Sequence, residues 1–202
     1  MHACEALLAA FEATQDTFCL MRTTAGRIGH PPPGGADPRP DLGALPDRLD
    51  GRLGPQPRHD DSNIYRPWGF QPGHLVEWAK LLLTLERSTP GLTEADPDNW
   101  MVHRARELFG ESCTTAGTAT TAAWSTALRR MARPPPTPTS TCDPHKYHWV
   151  QNETLAAAAV LAERTHDAVT GTGTTAFEPV SRTHFVDHEH GAWFRILGAD
   201  NR

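Results

Sequence analysis

The chain has 202 residues, with 19 basic and 24 acidic side chains and a formal net charge of −5. This length suits one ordinary domain or two small ones. The composition excludes a collagenous, fully disordered or strongly basic nucleic-acid-binding chain. Hydrophobic residues make up only 38%, and there are 16 glycines and 18 prolines, so part of the chain is predicted to lack a packed core.

No segment approaches the about 20 consecutive apolar residues of a membrane span. The first residues lack the basic start and apolar centre of a signal peptide. We therefore expect a cytoplasmic protein with no membrane partner and, because the chain is acidic, no nucleic-acid partner. The four cysteines are far apart and form no C-x-x-C pair, which favours reduced thiols over a zinc site or a disulfide framework.

Four helices are predicted in chain order. They cover residues 3–16, 72–87, 97–109 and 145–165, and are indicated by apolar spacing in the first, start and stop residues in the second and third, and an alanine-rich body in the fourth. In the third helix, Asp96 is the expected N-cap and Gly110 is expected to lie just past the end. Residues 184–197 have the pattern of two short strands that turn at His190-Gly191.

Three stretches lose the apolar pattern and are rich in proline, threonine, alanine or arginine: residues 31–60, 113–141 and 168–183. They separate the predicted helices, and no repeat of fixed period links those helices. We therefore expect a single, mostly helical domain over residues 1–202 that these stretches interrupt.

In the second helix, His74, Glu77, Trp78 and Leu81 share one face because they follow i, i+3, i+4 and i+7 spacing. A titrating imidazole, a carboxylate and an aromatic ring suit a carbohydrate, since the ring can cover an apolar face of the sugar. Trp68, just before this helix, offers a second such ring. Spacing alone also allows the alternative that the histidine and the glutamate simply meet solvent.

A similar set occurs in KYHWVQNE, where Trp149 and Glu153 lie one helical turn apart and Gln151 points elsewhere if the helix includes it. The alternative is the polar first turn of an ordinary amphipathic helix. His2 and Glu5 are spaced to share a face of the first helix, although residues beside a chain start are usually frayed.

The segment Asp187-His188-Glu189-His190 invites a metal interpretation, because His188 and His190 would point the same way from a strand. No third ligand is placed, so the alternative is a solvated turn or a loop beside the substrate. The sequence has no glycine-rich phosphate loop, no G-x-S-x-G and no H-E-x-x-H. We predict no metal and no cofactor.

Four blocks follow one another in the order MHACEALLAAFEAT, RPWGFQPGHLVEWAKLLLTLER, KYHWVQNETLAAAAVLAERT and HFVDHEHGAWFRIL. Together they closely resemble the N-acylglucosamine 2-epimerase family, particularly its mannose isomerase-like branch. The resemblance implies an all-α fold, a partial (α/α)6 barrel or six-hairpin toroid, with a short late β-hairpin. It also implies a sugar 2-epimerase or aldose–ketose isomerase that moves a proton next to the carbonyl of an open-chain monosaccharide.

The resemblance also assigns site residues. His74 matches one of two acid/base histidines, and Glu77 matches the carboxylate beside it. His2 matches a pocket histidine that binds the sugar, and Trp193 matches the aromatic residue of the late hairpin. The W-x-Q-x-E pocket block of the family is matched by Trp149, Gln151 and Glu153. The isomerase branch implies proton transfer without a metal or nicotinamide.

The matched blocks correspond to the central part of the family pattern, so we expect an incomplete ring that lacks the second acid/base histidine. A homo-oligomer, in which two incomplete rings complete one another, is therefore a possible assembly. We hypothesise that the three poorly patterned stretches come from frame shifts or misjoined exons, which would leave Leu75, Leu82 and Leu83 exposed.

Two alternatives to an active isomerase stay open at this point. One is an inactive remnant that binds sugar weakly or not at all. The other is an (α/α)6 glycoside hydrolase, which would need a carboxylate pair such as Glu77 and Glu153.

Overall fold

The computed structural model describes seven ranges: residues 1–25, 72–89, 99–116, 127–129, 140–143, 145–166 and 179–202. Side chains are described for residues 1–23, 72–89, 99–113, 145–166 and 179–202. Five α-helices lie in these ranges: His2–Thr14 (α1), Thr17–Ala25 (α2), Pro72–Ser88 (α3), Trp100–Ala116 (α4) and His148–Thr165 (α5).

Short strands in the described ranges form three two-stranded antiparallel sheets. The strands are Ala127–Arg129 (β1), Ser140–Asp143 (β2), Lys146–Tyr147 (β3), Val186–Asp187 (β4), Ala192–Trp193 (β5) and Ile196–Leu197 (β6). The pairs are β1 with β2, β3 with β6 and β4 with β5. A π-helical turn, Ser181–Phe185, directly precedes β4. The predicted late hairpin is confirmed as β4 and β5.

Helix α3 is the centre of the described core. It packs mainly against α4 and α5, and buried residues occur all round its axis, as expected for a helix covered on more than one side. Leu75, Leu82 and Leu83 share one apolar cluster with residues of α4 and α5 and are almost completely buried. The expectation that these leucines would be exposed is therefore wrong.

The prediction for α3 is confirmed, whereas the prediction for α4 is wrong at its end. Gly110 lies inside α4, and a Cβ added there would meet nothing within 4 Å. The helix continues because its later half is tied to α3: the Ser112 hydroxyl donates a buried hydrogen bond of 3.0 Å to the Pro72 carbonyl. Asp96, the predicted N-cap, lies outside the described residues.

The first predicted helix ends earlier than expected, and a second helix follows it. Gln15 ends α1 in a left-handed conformation with φ 58, and its N–H donates to the Phe11 carbonyl. The Asp16 carboxylate then accepts a hydrogen bond of 2.9 Å from the Phe18 N–H. This is the N-cap pattern of a new helix, α2, which the sequence prediction missed.

The fourth predicted helix is α5. It begins at His148, three residues later than predicted, because the preceding residues pair as β3 with β6. Lys146 is buried there, and its Nζ donates to the Ala199 carbonyl at 2.8 Å and to Oδ1 of Asn201 at 2.6 Å. These acceptors satisfy a buried ammonium, so the contact holds the chain extended before the helix begins.

Cys4, Cys19 and Cys113 are free thiols, as predicted, and the side chain of Cys142 lies outside the described residues. Within the described part of the chain, no helix has the length and apolar character needed to cross a membrane. The poorly patterned stretch 31–60 lies outside the described residues, and the other two are described only in part.

Candidate functional site

The first turns of α3 and α5 meet at a glycine. A Cβ added to Gly73 would lie 2.6 Å from Cη2 of Trp149 and 2.9 Å from Cγ2 of Val150, so a larger residue would force the helices apart. This close approach places the Trp149 ring beside the His74 imidazole, with ring centroids 5.5 Å apart and planes at 36°. His74 is half-buried, while Trp149 remains 37% exposed.

Glu77 lies one turn after His74 and is only 6% exposed. Burial raises the pKa of its carboxyl to about 7, and the negative charges of Glu153 and Glu5 add to this rise, against the opposing charges of His2 and Lys80. Glu77 can therefore donate or accept a proton near neutral pH. The alternative in which this polar face simply meets solvent is wrong for Glu77.

Helix α1 brings His2 and Glu5 to the same place. Nδ1 of His2 lies 2.9 Å from Oε2 of Glu5. Ligand-capable atoms of His2, Glu5 and Glu77 all lie within 4.8 Å of one another, which no other histidine, cysteine or acidic trio does in the described ranges. Because His2 is already bonded to Glu5 and burial raises the pKa of Glu77, this arrangement suits proton transfer better than metal binding.

Helix α5 contributes Glu153 one turn after Trp149. Oε2 of Glu153 lies 2.5 Å from Nζ of Lys80, and each of the two side chains is 22% exposed. This ion pair bridges α3 and α5 beside Glu77. The carboxylate of Glu153, which the resemblance assigns to sugar binding, is therefore paired with the Lys80 ammonium of the neighbouring helix.

The structure does not bring Gln151 to the exposed side of α5. Gln151 follows Trp149 by two residues inside the helix, which places it about 200° around the axis. It is buried, and its Nε2 donates to the Tyr147 carbonyl at 3.4 Å. Its predicted contact with a sugar stays a prediction.

Trp193 packs against the start of α5 rather than against His74. Its ring centroid lies 4.7 Å from that of His148, the residue before Trp149, and it is 51% exposed. Burial lowers the pKa of His148, which favours the neutral ring. Trp68, the other predicted aromatic residue, lies outside the described residues.

The turn between β4 and β5 is held by Asp187. Its Oδ1 accepts hydrogen bonds of 3.0 Å from the backbone N–H groups of Glu189 and His190, and its Oδ2 lies 3.1 Å from Nδ1 of His190. Nε2 of His188 lies 3.0 Å from the Arg182 carbonyl. The two histidines have different partners, so the geometry favours the solvated turn over the metal interpretation.

Sequence reasoning missed Lys80 and the role of Gly73. Lys80 lies three residues after Glu77, so helical spacing indicates that the two are neighbours. The partner on α5 is not visible from the sequence. For Gly73, the signal is a glycine in a helical first turn, where it has no capping role and therefore indicates a close approach.

The helical fold and the comparisons with known proteins place the chain in one family. The chain belongs to the N-acylglucosamine 2-epimerase (GlcNAc 2-epimerase) family, whose model matches residues 1–202. It is 34% identical over 205 residues to a D-mannose isomerase from Marinomonas mediterranea, with 100% of this chain and 48% of that protein covered. A D-mannose isomerase from Thermobifida fusca is 31% identical over 203 residues, with 98% and 46% covered.

Two solved structures support the fold. A crystal structure of a D-mannose isomerase matches with a TM-score of 0.71 and 32% identity, over 98% of this chain and 47% of that chain. A sugar epimerase from a ruminal bacterium matches with a TM-score of 0.65 and 14% identity, over 98% of this chain and 44% of that chain, and shows the fold alone. The predicted all-α, partial (α/α)6 fold is confirmed.

The chain spans about half the length of the curated relatives it matches. Those relatives are named as D-mannose isomerases. The comparisons therefore do not favour the glycoside hydrolase or the inactive remnant as alternatives.

Proposed function

We propose that this chain carries the acid–base residues of a sugar isomerase or epimerase site, acting on an open-chain monosaccharide of the mannose type. The observation that carries the proposal is the contact of His74 with Trp149, one turn before the buried Glu77. An imidazole beside an aromatic ring can reach a sugar whose apolar face lies on that ring. The names of the matched relatives support mannose as the first substrate to test.

In the isomerase direction, the His74 imidazole removes the proton from C2 of the open-chain aldose. The C2–H electron pair forms a C1–C2 double bond, and the carbonyl electrons move to O1, giving an enediolate. Returning a proton to C1 and moving the O2 proton to O1 gives the ketose. An acid that returns the proton to the opposite face of C2 gives the epimer instead.

The proposed role of Glu77 follows from its protonation. The C2 proton is weakly acidic, so the developing charge on O1 needs a nearby donor in a largely enclosed site. A carboxyl whose pKa lies at about 7 is available in both protonation states at neutral pH. Glu77 therefore holds the proton that passes between the two sugar oxygens.

The proposed sugar contacts surround this pair. Trp149 covers the apolar face of the sugar, while His2, which is 86% exposed, offers a polar contact from α1. Trp193 contributes a second ring from the hairpin. A cytoplasmic location and self-association stay predictions from the sequence.

Sugar conversion by the purified chain tests the proposal. Mannose with fructose, and N-acetylglucosamine with N-acetylmannosamine, are incubated with the wild type, with His74→Ala and with His103→Ala, which removes an exposed histidine of α4. We expect mannose and fructose to interconvert with the wild type and with His103→Ala. Conversion falls about 100-fold or more with His74→Ala. Conversion of none of these sugars, or equal conversion by both variants, contradicts the proposal.

A further inference from the structure

Two ion pairs join α3 to α5, and they differ in their surroundings. In the first pair, Nζ of Lys80 lies 2.5 Å from Oε2 of Glu153, and each side chain is 22% exposed. Lys80 follows Glu77 by three residues on α3, and Glu153 lies on α5. Glu86 and Arg164 form the other pair, with Nη2 and Nε of the arginine 2.9 and 3.1 Å from Oε1. This second pair is more exposed on its arginine side and lies more than two helical turns beyond Glu77. The helices are therefore tied at both places, but only one tie adjoins the proposed site.

Four charged or titratable groups act on the Glu77 carboxyl among the described residues. Glu5 and His2 reach it from α1, Lys80 comes from its own helix, and Glu153 comes from α5. Lys80 favours the ionised carboxyl, whereas Glu153 favours the protonated one. Glu153 has the largest of these four effects and Lys80 the smallest, so the ammonium offsets only part of the effect of the carboxylate that it contacts.

Stability alone is a weak reason for this pair. A largely buried ion pair loses hydration, and well-packed apolar residues of similar volume are often equally stabilising. The Glu86–Arg164 pair already links the same two helices. The distinguishing feature of Lys80 and Glu153 is the buried carboxyl next to them.

We propose that Lys80 is a positioning residue of this site: through its ion pair with Glu153 it holds the Trp149 end of α5 against α3 and offsets part of the negative charge beside the Glu77 carboxyl. The structural part of this proposal concerns Lys80, Glu153 and Glu77 alone. Its catalytic meaning rests on the proposed function, in which Glu77 holds a proton.

The test uses two substitutions that break the same ion pair with opposite charge. Lys80→Met leaves the Glu153 carboxylate unbalanced, and Glu153→Gln leaves the Lys80 ammonium unbalanced. The titration of Glu77 is followed by carbon-13 NMR of the glutamate carboxyls in the full chain, with Glu77→Gln to assign the signal. We expect the midpoint to rise in Lys80→Met and to fall in Glu153→Gln, with the larger shift, about half a pH unit or more, in Glu153→Gln.

Two controls separate charge balance from packing. Lys80→Arg keeps the charge, and its midpoint stays near that of the wild type. Arg164→Met breaks the other helix-bridging pair, and it leaves the midpoint unchanged while lowering stability. A purely structural pair would loosen the helices in both site variants and move the two midpoints in the same direction, which would overturn the proposal.

The titration needs no sugar, so it separates this proposal from the proposed function. Opposite shifts without any sugar conversion support the charge balance and contradict the proposed function alone. In an active protein, the pH profile of kcat/KM moves in the same two directions. If Lys80→Met does not fold, Glu153→Gln decides, because an unchanged or raised midpoint overturns the proposal.

Discussion

The start of α3 and the β4–β5 turn use the same residue types in different ways. In the first region, Gly73 and His74 pack against Trp149 across two helices, and Glu77 is buried one turn further along α3. The second region has Asp187, His190, Gly191 and Trp193, and local hydrogen bonds to Asp187 organise its turn. The difference shows that packing raises the pKa of the Glu77 carboxyl, whereas local hydrogen bonds lower the pKa of the Asp187 carboxyl. Comparing like residues between the two regions tests this.

The carboxyl groups of Glu77 and Asp187 are expected to change the stability of the protein in opposite directions as the pH rises. The pKa of Glu77 is raised from 4.5 to about 7, so the folded state binds the extra proton, and stability is lost as pH rises from 4.5 through 7. The loss reaches up to about 3 kcal/mol in the free energy of unfolding. Urea unfolding across this pH range measures it. Glu77→Gln is expected to lack this loss, and an equal loss in the variant would contradict the assignment.

Asp187 contributes in the reverse direction. Hydrogen bonds from the backbone N–H groups of His190 and Glu189 hold the pKa of its carboxylate below the ordinary value of 3.8. Its stabilising effect is therefore present above that value and is lost as pH falls through the lowered pKa of the folded state. Because the hydrogen bonds of Asp187 stay within this turn, we expect Asp187→Ala to affect only the hairpin.

Gly73 on α3 and Gly191 in the β4–β5 turn are needed for different reasons. Gly73→Ala places a Cβ against Trp149 and Val150, and we expect it to destabilise the protein by about 1–3 kcal/mol. Gly191 has φ 74 and open space around its Cβ position, so Gly191→Ala meets only backbone strain of about 1 kcal/mol. Gly110→Ala is the matched control inside a helix, and it is expected to stabilise by up to about 1 kcal/mol.

Chemical denaturation of the three glycine variants checks this order. Tryptophan fluorescence adds a second readout, because only Gly73→Ala displaces Trp149. Gly73→Ala with unchanged stability and fluorescence would show that the close contact between α3 and α5 is absent in solution.

The two tryptophans are expected to differ in sugar binding. Trp149 lies against the proposed acid/base histidine, so Trp149→Ala raises KM for mannose about tenfold, equivalent to about 1.4 kcal/mol. Trp193 lies against His148 instead, and Trp193→Ala raises KM less. Steady-state kinetics on both variants checks the order, and a larger effect at Trp193 would move the proposed sugar contact to the hairpin.

The smallest effect is expected at the turn itself. Asp187→Ala removes the acceptor of two backbone hydrogen bonds, so amide exchange at Glu189 and His190 becomes faster. Sugar conversion stays within twofold of the wild type. Hydrogen-exchange NMR together with the kinetic assay measures both, and a large loss of conversion would show that the turn shapes the site.

Local signals explain which elements were predictable. The spacing of apolar residues and the stop sequence gave α3 its bounds within one residue. Asp16 before Thr17 is also a local N-cap signal for α2, which the sequence prediction missed. The end of α4 depends on Ser112 meeting Pro72, and β3 depends on the contacts of Lys146 with residues more than fifty positions later. Such long-range contacts leave no local pattern.

The candidate site divides in the same way. Helical spacing placed His74 with Glu77, and Trp149 with Glu153, because these pairs lie within single helices. The contact of Trp149 with His74 and the pairing of Lys80 with Glu153 both cross from α3 to α5. They became visible only in the structure. The burial of Gln151 followed from where α5 begins, which the sequence did not define.

The central claim is that packing at the start of α3 makes His74 the base for a carbon-bound proton. Its most direct measurement is deuterium exchange at C2 of mannose in heavy water, followed by proton NMR, with the wild type, His74→Ala and His190→Ala. We expect C2 exchange with the wild type and with His190→Ala, and none with His74→Ala. Added imidazole is expected to restore part of the exchange by His74→Ala. Equal exchange with His74→Ala and the wild type would contradict the central claim.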